Sequence, residues 1–253
     1  MYNKLAEKLQ FIIEPVAIYF TNERPKEALQ SKEGVRVCVA SMLLAAARGK
    51  TIVFDEKTYG CPGGGVGLCF GDAFIKNNHP TEKLLSTGDE KIAAMGGRLG
   101  KIMERGERFY ASPELVKKWK SELPYTETSK KYVVFKPLRE IDETDPPDLI
   151  EIFANPDQIS VLVIMSGFYR GTALNVLAPF SAACQSILLA YQEMRKEFPK
   201  AIMGLFDISV RNMFPKELLS FTVPYRMYEE LEHSVDESCL TTEAWEQIDG
   251  RFK

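Results

Sequence analysis

Hydrophobic positions follow two kinds of pattern along the chain, and each predicts a different element. Between residues 181 and 197 the apolar side chains recur at the spacing of one helix face. Segments of this kind predict helices at 2–12, 36–48, 68–75, 90–105, 113–123, 157–166, 181–197, 224–233 and 242–248. Short runs rich in β-branched and aromatic residues predict strands at 16–20, 51–54, 132–135, 148–154, 173–178 and 218–223. Helices and strands are interleaved, which predicts an α+β fold with a mixed sheet and flanking helices.

The chain length limits the number of domains. A chain of 253 residues forms one large domain or two small ones. No segment repeats with a period of 20–50 residues. The polar, proline-containing stretch 137–147 is the best internal seam. We therefore predict one domain over residues 1–253, built as a single unit or as two tightly packed subdomains.

Charge and hydropathy exclude several classes of partner. The chain has 32 Lys and Arg against 35 Asp and Glu, a net charge of −3 without long blocks of one sign. This balance disfavours nucleic-acid binding. No apolar run approaches the roughly 18 residues that a membrane span needs. The charged N-terminal segment is unlike a signal peptide. We expect a soluble, cytoplasmic protein.

A glycine-rich stretch carries the strongest local signal. Residues 59–71 read Tyr-Gly-Cys-Pro-Gly-Gly-Gly-Val-Gly-Leu-Cys-Phe-Gly. Such a run suits a backbone with positive φ, or one that approaches a ligand closely. Free backbone N–H groups beside Cys61 favour a thiolate. We predict a site here, with Gly63, Gly64 and Gly65 as cofactor-binding residues and a simple tight turn as the alternative.

The cysteines suggest the chemistry of that site. Five cysteines in a cytoplasmic protein are better candidates for thiols or metal ligands than for disulfide bridges. Their spacing is not the Cys-x-x-Cys of zinc ribbons or ferredoxins, so a site must be assembled in space. Cys38, Cys61 and Cys184 are the candidate ligands, with Cys69 in reserve. Cys184 also lies on an apolar helical stripe, which fits a packing role equally.

Several longer motifs point to one family. They are Glu14-Pro-Val-Ala-Ile, Cys38 before an Ala-rich helix, Cys61-Pro-Gly-Gly, Lys136-Pro-Leu, Ala183-Cys-Gln, the segment Gly204 to Arg211, Phe221-Thr-Val-Pro and the segment Leu240 to Trp245. Together they resemble the domain-of-unknown-function 169 family (DUF169) of archaea and anaerobic bacteria. The resemblance covers nearly the whole chain but implies no activity. It implies that Cys38, Cys61 and the Cys184 region belong to the family pattern, whereas Cys69 departs from it and Cys239 is incidental.

Three functional hypotheses remain open at this point. The first is a redox or ligand-binding protein with an iron–sulfur cluster on Cys38, Cys61 and Cys184, or another metal on the same thiolates. The second is a metal-free protein that binds a small anion or cofactor through the glycine loop and Arg211, although Arg211 equally fits an ion pair with Asp207. The third is a thiol enzyme, for which no general base is evident. The expected partner is a small-molecule ligand or a redox protein. His79 and His233 are interpreted as surface residues.

Overall fold

A computed structural model describes residues 4–142 and 144–252. The strands are β1 (Val16–Thr21), β2 (Ile52–Phe54), β3 (Tyr132–Pro137), β4 (Leu149–Ala154), β5 (Val176–Leu177), β6 (Ala201–Gly204) and β7 (Leu219–Pro224). The first six helices are α1 (Lys4–Leu9), α2 (Val39–Ala47), α3 (Pro62–Gly67), α4 (Ala73–Lys76), α5 (Thr81–Leu84) and α6 (Glu90–Ala93). The others are α7 (Gly97–Met103), α8 (Pro113–Glu122), α9 (Pro156–Ser166), α10 (Gln185–Glu193), α11 (Tyr225–Ser234) and α12 (Glu243–Asp249).

The seven strands form one mixed sheet in the order β2-β3-β1-β4-β7-β6-β5. Strand β1 pairs antiparallel with β3, from Val16 opposite Pro137 to Thr21 opposite Tyr132. Its other edge pairs antiparallel with β4. Strands β5 and β6 form a parallel pair at the far edge. The sheet therefore confirms the predicted α+β class.

Helices cover both faces of the sheet. Alternate residues of β1 separate its faces: Val16, Ile18 and Phe20 contact the apolar cluster that includes α2, α3 and α10. Ala17 and Tyr19 contact the opposite cluster, which includes α1, α9, α11 and α12. Because both faces are covered, β1 lacks the polar alternation of a half-exposed strand.

Helix starts follow local sequence signals. Asn155 caps α9, accepting from the backbone N–H of Gln158 at 3.0 Å, and the Gln158 side chain accepts from the N–H of Asn155 at 2.8 Å. Pro156 occupies the first position of that helix. Ser112 caps α8, and its side chain accepts from the backbone N–H of Leu115.

Several predicted boundaries are wrong for identifiable reasons. The helix predicted over 90–105 is two short helices, because Gly96 and Gly97 adopt φ of 72° and 69°. The helices predicted from residues 36 and 181 begin at Val39 and Gln185. The strand predicted over 173–178 is only Val176–Leu177.

The predicted seam at 137–147 joins two strands of one sheet. Strand β3 ends at Pro137 and β4 begins at Leu149, and both pair with β1. Residue 143 lies outside the described residues. In the part of the chain that the structure describes, no helix is long and apolar enough to cross a membrane.

Candidate functional site

Cys61 begins a short helix rather than a loop. It is the N-cap of α3, and its Sγ accepts a hydrogen bond from the backbone N–H of Gly64 at 3.3 Å. Pro62 follows at the first helical position, where its fixed φ suits a helix. Positive φ, one of the two uses expected of the glycine run, occurs at Gly60 and Gly71 of this stretch and not at Gly63, Gly64 or Gly65.

Close packing explains most of the glycines in α3. A Cβ on Gly64 would lie 2.5 Å from the carbonyl oxygen of Tyr59, and one on Gly65 would lie 2.5 Å from the Cβ of Ala73. A Cβ on Gly67 would lie 2.4 Å from the carbonyl oxygen of Cys184. Gly63 differs, because the nearest atom to its added Cβ is Cys61 Sγ at 4.0 Å. Of the three predicted glycines, Gly63 alone lines the cavity described next.

The three cysteines singled out from the sequence lie around one cavity. Cys38, Cys61 and Cys184 are the N-cap residues of α2, α3 and α10, so three helices begin at the same place. Together they line a cavity of about 440 Å³, here called the thiol pocket. The Cys184 thiol donates to the carbonyl oxygen of Gly63 at 3.3 Å.

The two remaining cysteines lie elsewhere. Cys69 is fully buried in the core on the same side of the sheet, and it does not line the thiol pocket. Cys239 packs on the opposite face. All five cysteines are free thiols.

Burial raises the pKa of two of the pocket thiols, Cys61 and Cys184. For Cys61, burial has the largest effect and raises the pKa. The hydrogen bond from the N–H of Gly64 lowers this pKa, and the neighbouring Cys38 raises it. Burial also raises the pKa of Cys184 well above its ordinary value, and Cys61 and Cys38 add to that effect. For the Cys61 pKa, burial outweighs the opposing N–H groups, so its direction is opposite to the one that those groups favour. Among the described residues, no group of three or more His, Cys, Asp or Glu side chains stands arranged to hold a metal ion.

Charged groups surround the thiols. Arg36 and Arg98 line the thiol pocket, and both are largely exposed. Glu107 and Asp207 lie in the same wall. Burial, followed by the neighbouring Asp207, raises the pKa of Glu107 to about 7. Near neutral pH this carboxyl exchanges its proton readily, which makes it a candidate acid or base beside the thiols.

A smaller chamber adjoins the thiol pocket and shares Cys61, Gly63 and Glu107 with it. Its volume is about 200 Å³. We call it the aromatic chamber, and the aromatic side chains that line it are Phe74, Phe109, Trp119 and Phe180. The indole N–H of Trp119 donates to the carbonyl oxygen of Phe180 at 3.2 Å, which fixes the ring in the wall.

Comparison with known proteins gives one decisive result. The model of the DUF169 family, described as "Uncharacterised ArCR", matches residues 4–234. The chain belongs to this family. No curated protein and no solved structure matches the chain.

The DUF169 match includes every residue of the thiol pocket and the aromatic chamber. Cys239, the cysteine on the opposite face, lies beyond the matched residues. The site and the family region therefore coincide in this DUF169 protein.

Arg211 has its own partners in this DUF169 protein. Its guanidinium donates to the carbonyl oxygen of Lys216 at 2.7 Å and to that of Leu218. Asp207 instead accepts from the backbone N–H and hydroxyl of Ser209, at 3.0 and 2.6 Å. The predicted Arg211–Asp207 ion pair is therefore absent from the described residues, and Arg211 is not among those that line either cavity.

Sequence reasoning missed most of the polar residues of this DUF169 site. His79, interpreted as a surface residue, is half-buried, lines both cavities and has its Nδ1 2.9 Å from the Thr81 hydroxyl. Burial, with Arg36 and Lys120, lowers its pKa. Glu107, Arg36 and Arg98 stand in segments with no motif around them, so no pattern along the chain indicated them.

Proposed function

We propose that the thiol pocket is a thiolate centre, in which Cys38, Cys61 and Cys184 hold an iron–sulfur cluster or a single metal ion. One observation carries the proposal: three cysteines from segments far apart in the chain line one cavity, each directly before a helix. The other two cysteines do not line this cavity, since Cys69 is buried in the adjacent core and Cys239 packs on the opposite face of the sheet.

The donor set fits a thiophilic centre in its chemistry. Three thiols are soft ligands suited to iron–sulfur clusters or zinc, and three protein ligands leave one position for a small molecule. The fit requires a rearrangement, because the Cys184 thiol now donates to Gly63 and must give up that proton and hydrogen bond. Such a centre supplies electron transfer if it is a cluster, or polarisation of a bound ligand if it is zinc.

The proposal predicts metal in protein purified without oxygen. Wild-type protein is expected to contain iron with broad visible absorption, or zinc without colour. Cys38→Ser, Cys61→Ser and Cys184→Ser should each lose the metal and melt at a lower temperature, because binding energy contributes to folding energy. Cys239→Ser is the control and should retain both.

Metal uptake should also weaken as pH falls. The raised pKa values of Cys61 and Cys184 mean that protons compete with the metal. Folded, colourless wild-type protein without iron or zinc after anaerobic purification would defeat the metal proposal.

A second candidate function is metal-free binding of a small anion. Arg36 and Arg98 favour it, because both line the thiol pocket and neither forms an ion pair among the described residues. Free guanidinium groups of this kind bind carboxylate or phosphate. In this alternative the anion lies between the two arginines and the backbone of Gly63. The competing arrangement is the one predicted from the sequence, in which Arg211 binds the anion.

Inorganic phosphate distinguishes these arrangements. It should raise the melting temperature of wild-type protein, and the gain should shrink in Arg36→Gln and Arg98→Gln. Arg211→Lys should keep the phosphate gain while lowering the melting temperature itself, because it loses the planar fork that holds two carbonyl oxygens. If phosphate fails to raise the melting temperature only in Arg211→Lys, then Arg211 binds the anion, as the sequence predicted.

A further inference from the structure

Gln185 presents a fixed and unpaired hydrogen-bond donor. It is the first residue of α10 and is fully buried. Its side-chain oxygen accepts from the backbone N–H of Ala182 at 3.0 Å, which fixes the orientation of the amide. Its Nε2 has no hydrogen-bond partner among the described residues. Gln185 is one of the residues that line the aromatic chamber, so the wall of that chamber holds a buried donor without an acceptor.

An unpaired donor in a buried position is costly. Leaving one unsatisfied destabilises a protein by about 1–3 kcal/mol, so native proteins rarely keep such groups without a role. Glu107 lines the same chamber. Its carboxyl feels the charge of Arg98 but forms no ion pair among the described residues. The chamber therefore offers one amide donor and one carboxyl that accepts or donates.

The size and walls of the chamber limit what fits. A cavity of about 150 Å³ accommodates benzene, so a chamber of about 200 Å³ has room for one six-membered ring with small substituents. Phe109, Trp119 and Phe180 supply faces and edges for ring contacts. No Lys or Arg is among the described residues that line it, and Asp207 and Glu107 both do. An anionic ring is therefore disfavoured.

We propose that the aromatic chamber binds a neutral single-ring lactam of the uracil type. A ring carbonyl accepts from Gln185 Nε2, an adjacent ring N–H donates to the Glu107 carboxylate, and the ring packs against Trp119 and Phe180. A lactam carries one acceptor for the amide and one donor for the carboxyl on a flat ring of the right size. The inference goes beyond the thiol centre and does not require a metal.

Trp119 provides the readout. The other tryptophan, Trp245, lies on the opposite face of the sheet, so its fluorescence is a constant background. Titrating wild-type protein with uracil should quench Trp119 fluorescence to saturation. Benzoate, an anionic ring, and toluene, an apolar ring, should bind more weakly.

Two variants test the hydrogen bonds. Gln185→Leu should weaken uracil binding about tenfold, the value of one buried hydrogen bond. Gln192→Leu makes the same change on the same helix outside the chamber and should leave the affinity unchanged. Glu107→Gln should weaken binding by about threefold, and it decides the matter if Gln185→Leu does not fold.

The proposal is overturned by any of three results. These are no saturable quenching by uracil, toluene binding as tightly as uracil, or unchanged uracil affinity in the folded variants. Metal content measured in the same samples keeps the outcome separate from that of the thiolate centre.

Discussion

Glu151→Gln should make the protein progressively more stable than wild type as pH rises from 5 to 8. Glu151 lies in β4 opposite Thr222 of β7, on the face of the sheet that α10 covers. It is fully buried, and neither carboxyl oxygen has a hydrogen-bond partner of good geometry among the described residues. The hydroxyl of Thr222, opposite it in β7, also has no hydrogen-bond partner among the described residues.

The direction of the effect follows from proton linkage. Burial raises the pKa of Glu151 from 4.5 to about 8, although the nearby hydroxyls of Ser220 and Ser186 oppose the shift. The folded state therefore keeps a proton that the unfolded state loses above pH 4.5. Stability from this group is fully present below pH 4.5, falls by about 1.4 kcal/mol per pH unit, and is lost once pH passes 8.

Glutamine removes that titration while keeping the shape of the side chain. We would measure the free energy of unfolding by urea at several pH values between 5 and 9 for both proteins. The difference should grow in favour of Glu151→Gln by roughly 3–4 kcal/mol across the window. Glu197→Gln, an amide introduced at an exposed position, is the control. Parallel curves for Glu151→Gln and wild type would show that the carboxyl ionises in the folded state at its usual pH.

Gly67→Ala should destabilise the protein severely. The added Cβ would lie 2.4 Å from the carbonyl oxygen and 2.7 Å from the carbonyl carbon of Cys184, both of which are backbone atoms. Relief requires α3 and the start of α10 to separate, and overpacking of this kind costs about 1–3 kcal/mol or more. Because Cys61 and Cys184 begin these two helices, the thiol pocket should widen as well.

Gly63→Ala is the matched control in the same helix. Its Cβ meets nothing closer than Cys61 Sγ at 4.0 Å, and alanine favours a helix over glycine by up to about 1 kcal/mol. Thermal melts should therefore show a large drop for Gly67→Ala and little change, or a small gain, for Gly63→Ala. Equal melting temperatures would mean that α3 and α10 are not held as closely as described.

The sequence predicts the strands better than the short helices. Strands such as β1 and β4 are rich in β-branched and aromatic residues and buried on both faces, so their composition identifies them even though β4 contains Glu151. Helix α3 was missed because four glycines in six residues argue against a helix by intrinsic propensity. Three of the glycines are required because Tyr59, Ala73 and Cys184 approach the helix backbone too closely for a side chain, and tertiary packing of this kind is invisible along the chain.

The residues of the candidate site also fall into two groups, those that the sequence indicates and those that it does not. Cysteines carry their chemistry in their identity, so Cys38, Cys61 and Cys184 were recognisable before their convergence was known. Gln185 and Glu107 are ordinary residue types whose importance comes from burial without a partner. The raised pKa of Cys61 was also unpredictable, because the N–H groups near it were evident in the sequence and its burial was not.

The position of β1 has a consequence for synthesis on the ribosome. Its two neighbours in the sheet, β3 and β4, begin only at residues 132 and 149. Residues 22–131 must therefore leave the exit tunnel before the backbone of β1 gains a strand partner. Cys184 emerges later still, so a nascent chain carries Cys38 and Cys61 well before the wall that completes their pocket.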